Sequence, residues 1–177
     1  MKGITYGPLV FKLVSITFLW QKTIKYKMRA VIQRVSHSSL SIKGATHAHI
    51  GKGFLVLLGI EEADTSDDVQ WLSNKIVGLR IFNDSDEKMN LSLSDIQGEI
   101  LLVSQFTLFA STLKGNRPSF IKAARPEKAI PLYEEFILQL KKTLPEKVQT
   151  GVFGADMQIE LLNDGPVTIL IDSKAKE

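Results

Sequence analysis

The chain has 177 residues, 44% of them apolar, which suffices for one sizeable core and is too short for two ordinary domains. It has no cysteine, which excludes a disulfide framework, a thiolate zinc site and a cysteine nucleophile, and agrees with a reducing cytosol. The net charge of +3 is unevenly placed: residues 1–27 carry five lysines (Lys2, Lys12, Lys22, Lys25, Lys27) and no acid, leaving 17 basic against 19 acidic residues in the body. Whole-chain basicity is therefore no sign of RNA binding. Phosphate contact has to come from a local cluster such as Lys114, Arg117, Lys122 and Arg125, which reads equally well as a solvated loop.

Residues 1–27 are expected to be an N-terminal extension outside the fold. Pro8 to Trp20 is apolar but broken by Lys12, and falls short of the roughly 20 residues that span a bilayer. Gln21, Lys22 and Thr23 follow where a secretory cleavage site needs small residues. A regular strand pattern starts after Met28, so translation is expected to begin there, with a single domain over residues 28–177.

Alternation over Arg29–Val35 and then Ser38–Ile42 predicts two half-buried strands joined as a hairpin. Ala45–Ile50, Gly51-Lys52-Gly53 and the apolar run Phe54–Leu58 predict a second hairpin whose latter strand is fully buried, making four sequential strands. Thr65 or Ser66 can cap a helix whose positive end suits Asp67 and Asp68 and whose stripe is Val69, Leu72, Ile76 and Leu79. The chain returns to sheet at Leu79–Phe82, at a weak segment Leu91–Leu93 and at Ile100–Ala110, the last too apolar for an edge. A polar loop, Ser111–Pro118, precedes a helix over 126–144 that carries Leu132, Phe136 and Leu140 on one face and Pro131 in its first turns. Strands Met157–Leu162 and Val167–Asp172 close the chain, joined by Asn163-Asp164-Gly165-Pro166. This order predicts a mixed α/β or α+β domain: largely antiparallel sheet with two packed helices.

Familiar hydrolytic signatures do not occur. The sequence has no Gly-x-Ser-x-Gly elbow and no His-Glu-x-x-His helix. His47 and His49 share a strand face without a third ligand nearby in sequence, which favours a solvated hairpin over a metal site, and His37 stands alone near a turn. Gly51-Lys52-Gly53 precedes a strand, whereas a dinucleotide fingerprint must follow one. No metal or cofactor is called for.

Two stretches instead put small polar groups among apolar strands: Ser104-Gln105-Phe106-Thr107-Leu108 and Asn163-Asp164-Gly165-Pro166-Val167-Thr168. On a strand, Gln105 and Thr107 share one face, where an amide and a hydroxyl must be hydrogen-bonded or open to a cleft. Pro166 cannot donate to a ladder, so it marks either a tight turn or a cis bond.

These stretches resemble the Ser-Gln-x-Thr and Gly-Pro-x-Thr motifs of the D-aminoacyl-tRNA deacylase family. Met28-Arg29-Ala30-Val31-Ile32-Gln33-Arg34-Val35 and Lys114-Gly115-Asn116-Arg117-Pro118-Ser119-Phe120 are similar to two more of its blocks, so the likeness runs from Met28 to about Asp172. The resemblance implies a cytoplasmic homodimer acting on D-aminoacyl-tRNA and glycyl-tRNA, with two active sites at the subunit interface. It implies that Ser104, Gln105, Phe106 and Thr107 line the aminoacyl pocket. In the partner's pocket a cis Gly165-Pro166, fixed with help from Arg34 and followed by Thr168, would exclude L side chains. Thr107 has no dedicated base beside it in sequence and is expected to position substrate rather than attack. The resemblance also suggests help from the 2′-hydroxyl of the terminal adenosine and polarisation of the carbonyl by backbone amides near Phe106 and Thr107. Two rivals remain open: an RNA-binding or interaction module without turnover, and a hydrolase of small D-amino acid esters or peptides free of tRNA.

Overall fold

The computed structural model describes residues 28–173 and Ala175. The predicted extension, with its Pro8–Trp20 segment, lies outside the described residues. Strands β1 (Arg29–Ile42), β2 (Ala45–Ile50) and β3 (Gly53–Gly59) come first, then helix α1 (Ser66–Val77), short strands β4 (Phe82–Asn83) and β5 (Met89–Leu91), and β6 (Glu99–Ser104). A single 3-10 turn (Phe106–Phe109), helix α2 (Pro126–Thr143), β7 (Val148–Thr150) and β8 (Met157–Asp172) complete the chain. The fold is thus mixed α/β with two packed helices, as the sequence predicts.

The long strand β1 organises the main sheet. Its first half pairs with β3 (Arg29↔Gly59 to Val35↔Gly53) and its second half with β2 (Ser38↔Ile50 to Ile42↔Ala45), while β8 runs along its other side from Arg29↔Asp172 to Ile42↔Met157. β6 lies parallel to β3, and β7 parallel to β6. The two parallel steps are crossovers, which require long connections, and α1 and α2 lie within them.

Alternation divides the core. Ala30, Ile32, Phe54, Val56, Leu58, Ile100 and Leu102 face Val69, Leu72, Ile76, Leu132, Phe136 and Leu140 of the helices. On the opposite face Leu55, Leu101 and Val103 meet Val35, Leu40, Ala48 and Ile50, with Met157, Ile159 and Leu161 beside them. The far halves of β1 and β8 therefore fold over the sheet and bury both faces of β3 and β6. The buried run predicted at Phe54–Leu58 and the non-edge character of Ile100–Ser104 follow from this.

Helix α1 starts where predicted, with the Thr65 N–H donating to Asp68 Oδ2 at 3.0 Å. Helix α2 begins at Pro126 and continues through Pro131, which near the N-terminus removes one backbone donor and leaves the later turns intact. Tyr133 of α2 donates its hydroxyl to Leu102 O at 2.9 Å, and burial pushes its pKa up.

Several boundaries differ from expectation. No hairpin separates Val35 from Ser38: Ser36 and His37 are exposed because β1 changes neighbours there, and the register with β8 shifts at the same place. Three strands, not four, precede α1. Of the predicted Leu79–Phe82 segment only Phe82 pairs, in a short strand with Asn83, and its partner is Met89–Leu91 rather than Leu91–Leu93. The short β7 was not predicted. Ile100–Ala110 is not one strand, and Asn163–Pro166 is not a hairpin loop, since the flanks on both sides pair with β1 rather than with each other. The last two corrections fall on the candidate site.

Candidate active site

Ser104 ends β6 opposite Leu58, and the next N–H, that of Gln105, donates to Leu58 O at 2.7 Å. The chain then leaves the sheet. Leu108 N–H donates to Gln105 O at 3.3 Å and Ala110 N–H to Thr107 O at 3.0 Å, closing the 3-10 turn that carries Phe106 and Thr107. Gln105 and Thr107 therefore meet not as neighbours on a strand face but across a turn, where Gln105 Nε2 donates to Thr107 Oγ1. Gly59, at the end of β3, lets this turn sit low. A Cβ there would stand 3.0 Å from Leu108 Cβ, 3.0 Å from a Phe109 ring carbon and 3.1 Å from Gln105 O.

Arg29 holds the turn from the other side, a role the sequence reading missed. Its Nη1 donates to Leu108 O at 2.9 Å, its guanidinium lies 5.0 Å from the Phe109 ring centroid, and its Nε pairs with Asp172 at 3.4 Å. The only signal in the sequence was a charge between the apolar Met28 and Ala30.

Ser104, Gln105 and Phe106 line a cleft of about 290 Å³ together with Leu58 and Val103 from the sheet, Ile60 just past β3, Ala124, and Ala129 of α2. Its remaining wall is Ile159 and the segment Phe153–Met157, also missed, whose Gly154 adopts φ +74 at the turn. Phe106 is 58% exposed, a large apolar ring beside an open cleft. Thr107 is exposed one residue further on.

The second stretch is a bulge. Gln33 pairs with Thr168 and Val35 with Asn163, so residues 164–167 loop out opposite Arg34. The Gly165–Pro166 peptide is cis, and Gly165 has φ +134. Arg34, only 6% exposed, anchors the bulge: Nε donates to Asp164 O at 2.9 Å, and Nη1 donates to Ile81 O at 2.5 Å and to Asn83 Oδ1 at 3.3 Å. Asn163 completes the frame by accepting Val167 N–H at 2.8 Å and donating to Thr168 Oγ1 at 3.2 Å. Gly165 and Pro166 remain exposed.

The two groups do not meet within the chain. Ser104, Gln105, Phe106 and Thr107 lie at the Arg29↔Gly59 end of the β1–β3 ladder, whereas Arg34, Gly165, Pro166 and Thr168 lie near its Arg34↔Phe54 end. Five residues of strand separate the ends, about 17 Å. His47 and His49 are exposed on β2, and no cluster of three or more His, Cys, Asp or Glu suited to a metal occurs among the described residues.

Residues 31–172 match the family model described as D-Tyr-tRNA(Tyr) deacylase. A D-aminoacyl-tRNA deacylase of Cytophaga hutchinsonii is 65% identical over 150 residues, covering 85% of this chain and 100% of the relative. One from Flavobacterium psychrophilum is 61% identical over the same shares. A solved structure named c-Myc DNA Unwinding Element Binding Protein superposes with a TM-score of 0.77 at 46% identity, covering 81% of this chain and 97% of that one. A probable eukaryotic D-amino acid tRNA deacylase, at 18% identity, shares the fold with a TM-score of 0.71 over 82% of this chain and 99% of its own. The family model spans well over half of the sequence and both polar stretches fall inside it: the chain belongs to the D-Tyr-tRNA(Tyr) deacylase family.

Proposed function

We propose that this chain, a D-aminoacyl-tRNA deacylase by family, hydrolyses the ester between a D-amino acid and its tRNA at the Ser104–Thr107 strand end, and removes glycine from tRNA as well. The observation that carries the reading is the placement of Ser104, Gln105 and Phe106 along the cleft in a chain whose residues 31–172 match that family. In this reading the aminoacyl group enters the cleft beside the exposed Phe106. N–H groups at the start of a helical turn have no partner within it, so those of Phe106 and Thr107 suit a carbonyl gaining negative charge. Thr107 Oγ1 accepts a hydrogen bond from Gln105 and keeps its own proton to donate, which fits a positioning group better than a nucleophile. The 2′-hydroxyl of the terminal adenosine is proposed to assist the attack by water.

Selectivity belongs to the bulge, and the bulge to a second copy. Gly165 and Pro166 are exposed and held by Arg34, with Thr168 tied to Asn163, yet they stand about 17 Å along the ladder from their own chain's cleft. This supports a homodimer in which each bulge closes the partner's cleft as a wall of backbone. Such a wall suits the task, because attractive contacts to a small side chain discriminate by only about 1–3 kcal/mol. A wall also tolerates many D side chains and admits glycine. A protein that acts on tRNA is expected in the cytoplasm. No helix among the described residues is long and apolar enough to cross a membrane. The domain is proposed to be residues 28–177, with 1–27 outside it.

The deciding assay compares release of amino acid from D-Tyr-tRNA, L-Tyr-tRNA and Gly-tRNA by purified protein, with its mass in solution. Hydrolysis of the D and glycyl esters by a dimer, with the L ester spared, is expected. Retention of tRNA without ester loss would establish the binding module instead, and equal turnover of D-tyrosyl esters lacking adenosine would establish the small-ester hydrolase. Substrate ending in 2′-deoxyadenosine should react far more slowly if the 2′-hydroxyl assists.

A further inference from the structure

One segment is charged and exposed in a way that the cleft chemistry does not use. Residues 111–125 contain Lys114, Arg117, Lys122 and Arg125 and no acid, whereas the rest of 28–177 holds 13 basic against 19 acidic residues. All four cations are exposed, and none has a carboxylate partner among the described residues. On the same loop Leu113 and Ile121 are 90% and 92% exposed.

The loop is nonetheless fixed to the site. Ser111 and Ser119 exchange backbone hydrogen bonds of 2.8 and 2.9 Å, forming a small hairpin whose tip turns at Gly115 with φ +117. The Phe120 ring meets Phe106 edge-on at 5.0 Å between centroids. Ala124 N–H donates to Ile60 O at 2.9 Å, and both residues line the cleft. A rigid, unpaired cationic arm therefore rises from the rim of the pocket on an otherwise acidic body.

We infer that this arm is the docking surface for the phosphates of the tRNA acceptor end, a reading that rests on the proposed site receiving the aminoacyl end. Substrate held in the cleft by its terminal residue must lead its next phosphates out over the rim, where Lys114, Arg117 and Lys122 neutralise them. Leu113 and Ile121 then cover ribose and base surface beside the phosphates. Binding through this arm is independent of sequence and falls with salt, because phosphate neutralisation releases counterions.

The test is the triple variant K114A/R117A/K122A beside the charge-keeping K114R/R117K/K122R. Arg125 is left in place because it is the N-cap residue of α2, at the base of the arm rather than on it. Deacylation is measured on D-Tyr-tRNA and on D-tyrosyl-adenosine, with filter retention of uncharged tRNA across a salt series and the mass of each variant in solution. For the alanine variant, KM on tRNA should rise at least about tenfold and the salt slope of binding should fall by about 2. Turnover of D-tyrosyl-adenosine should not change, and the charge-keeping variant should behave as the parent. Equal loss on both substrates, an unchanged salt slope or a change in oligomeric mass would overturn the inference, the last assigning the loop to the subunit contact. If the parent hydrolysed neither substrate while the alanine variant alone lost tRNA retention, the deacylase reading would fall and the arm would stand.

Discussion

The strand end at 104–109 and the bulge at 163–168 are both polar interruptions of apolar strands, but they are built in opposite ways. The first is supported by packing: its turn rests on Gly59, is gripped by Arg29 at Leu108 O, and opens onto a cleft of its own chain. The second hangs on one buried guanidinium, framed by Asn163, with Gly165 and Pro166 exposed about 17 Å along the ladder from their own chain's cleft. A site made by packing should tolerate the loss of a polar group with a graded fall in rate. A projection held by a single charged anchor should fail when the anchor goes.

Arg34→Ala is accordingly expected to do the most damage. It strips the donors from Asp164 O, Ile81 O and Asn83 Oδ1, at a cost of about 2–4 kcal/mol. Thermal unfolding should report that loss, and paired D- and L-aminoacyl-tRNA assays should show weakened chiral preference. An unchanged preference would remove Arg34 and the bulge from selectivity. Gly165→Ala comes next, because its Cβ would lie 2.7 Å from Val167 Cγ2 and 3.0 Å from Arg34 Nη2 at a φ of +134. About 1–3 kcal/mol of strain is expected there, with a fall in D-ester turnover at unchanged mass in solution.

On the other side of the comparison, Thr107→Ala should lower kcat roughly tenfold, about 1.4 kcal/mol, without abolishing it. An acyl group trapped on Thr107 in mass spectra would make it the nucleophile and overturn the positioning role. Gly59→Ala is the matched control for Gly165→Ala. Its contacts of 3.0–3.1 Å involve side chains and one carbonyl that can shift, and its backbone needs no positive φ. A cost of about 1 kcal/mol and a several-fold drop in rate with intact chiral preference are expected. The smallest effect belongs to removal of residues 1–27: stability within about 0.5 kcal/mol and unaltered turnover, since both polar stretches lie in 28–177. Loss of folded, active protein on truncation would place the extension in the domain.

What the sequence alone determined is local or periodic. The stripe Val69, Leu72, Ile76 with Thr65 before it specified α1, and Phe54–Leu58 specified a buried strand, because burial periodicity and capping chemistry are written within a dozen residues. The Ser-Gln-x-Thr and Gly-Pro-x-Thr stretches were legible because polar groups in apolar strands are costly unless they serve something. Where those strands stop was decided by tertiary structure. Ser104 ends β6 because the partner strand β3 itself ends at Gly59, where the following turn packs down; that partner is 45 residues away in the chain. Val35 and Ser38 belong to one strand because β8 spans the break, and Asn163–Pro166 bulges rather than turns because both its flanks find β1. Arg29 and Phe153–Met157 joined the site through contacts that no short window contains. Strand pairing is non-local, so the sequence could name the polar groups but not which of them would share a cleft. The register of β1 against β3 and β8 set the 104–107 and 163–168 stretches apart.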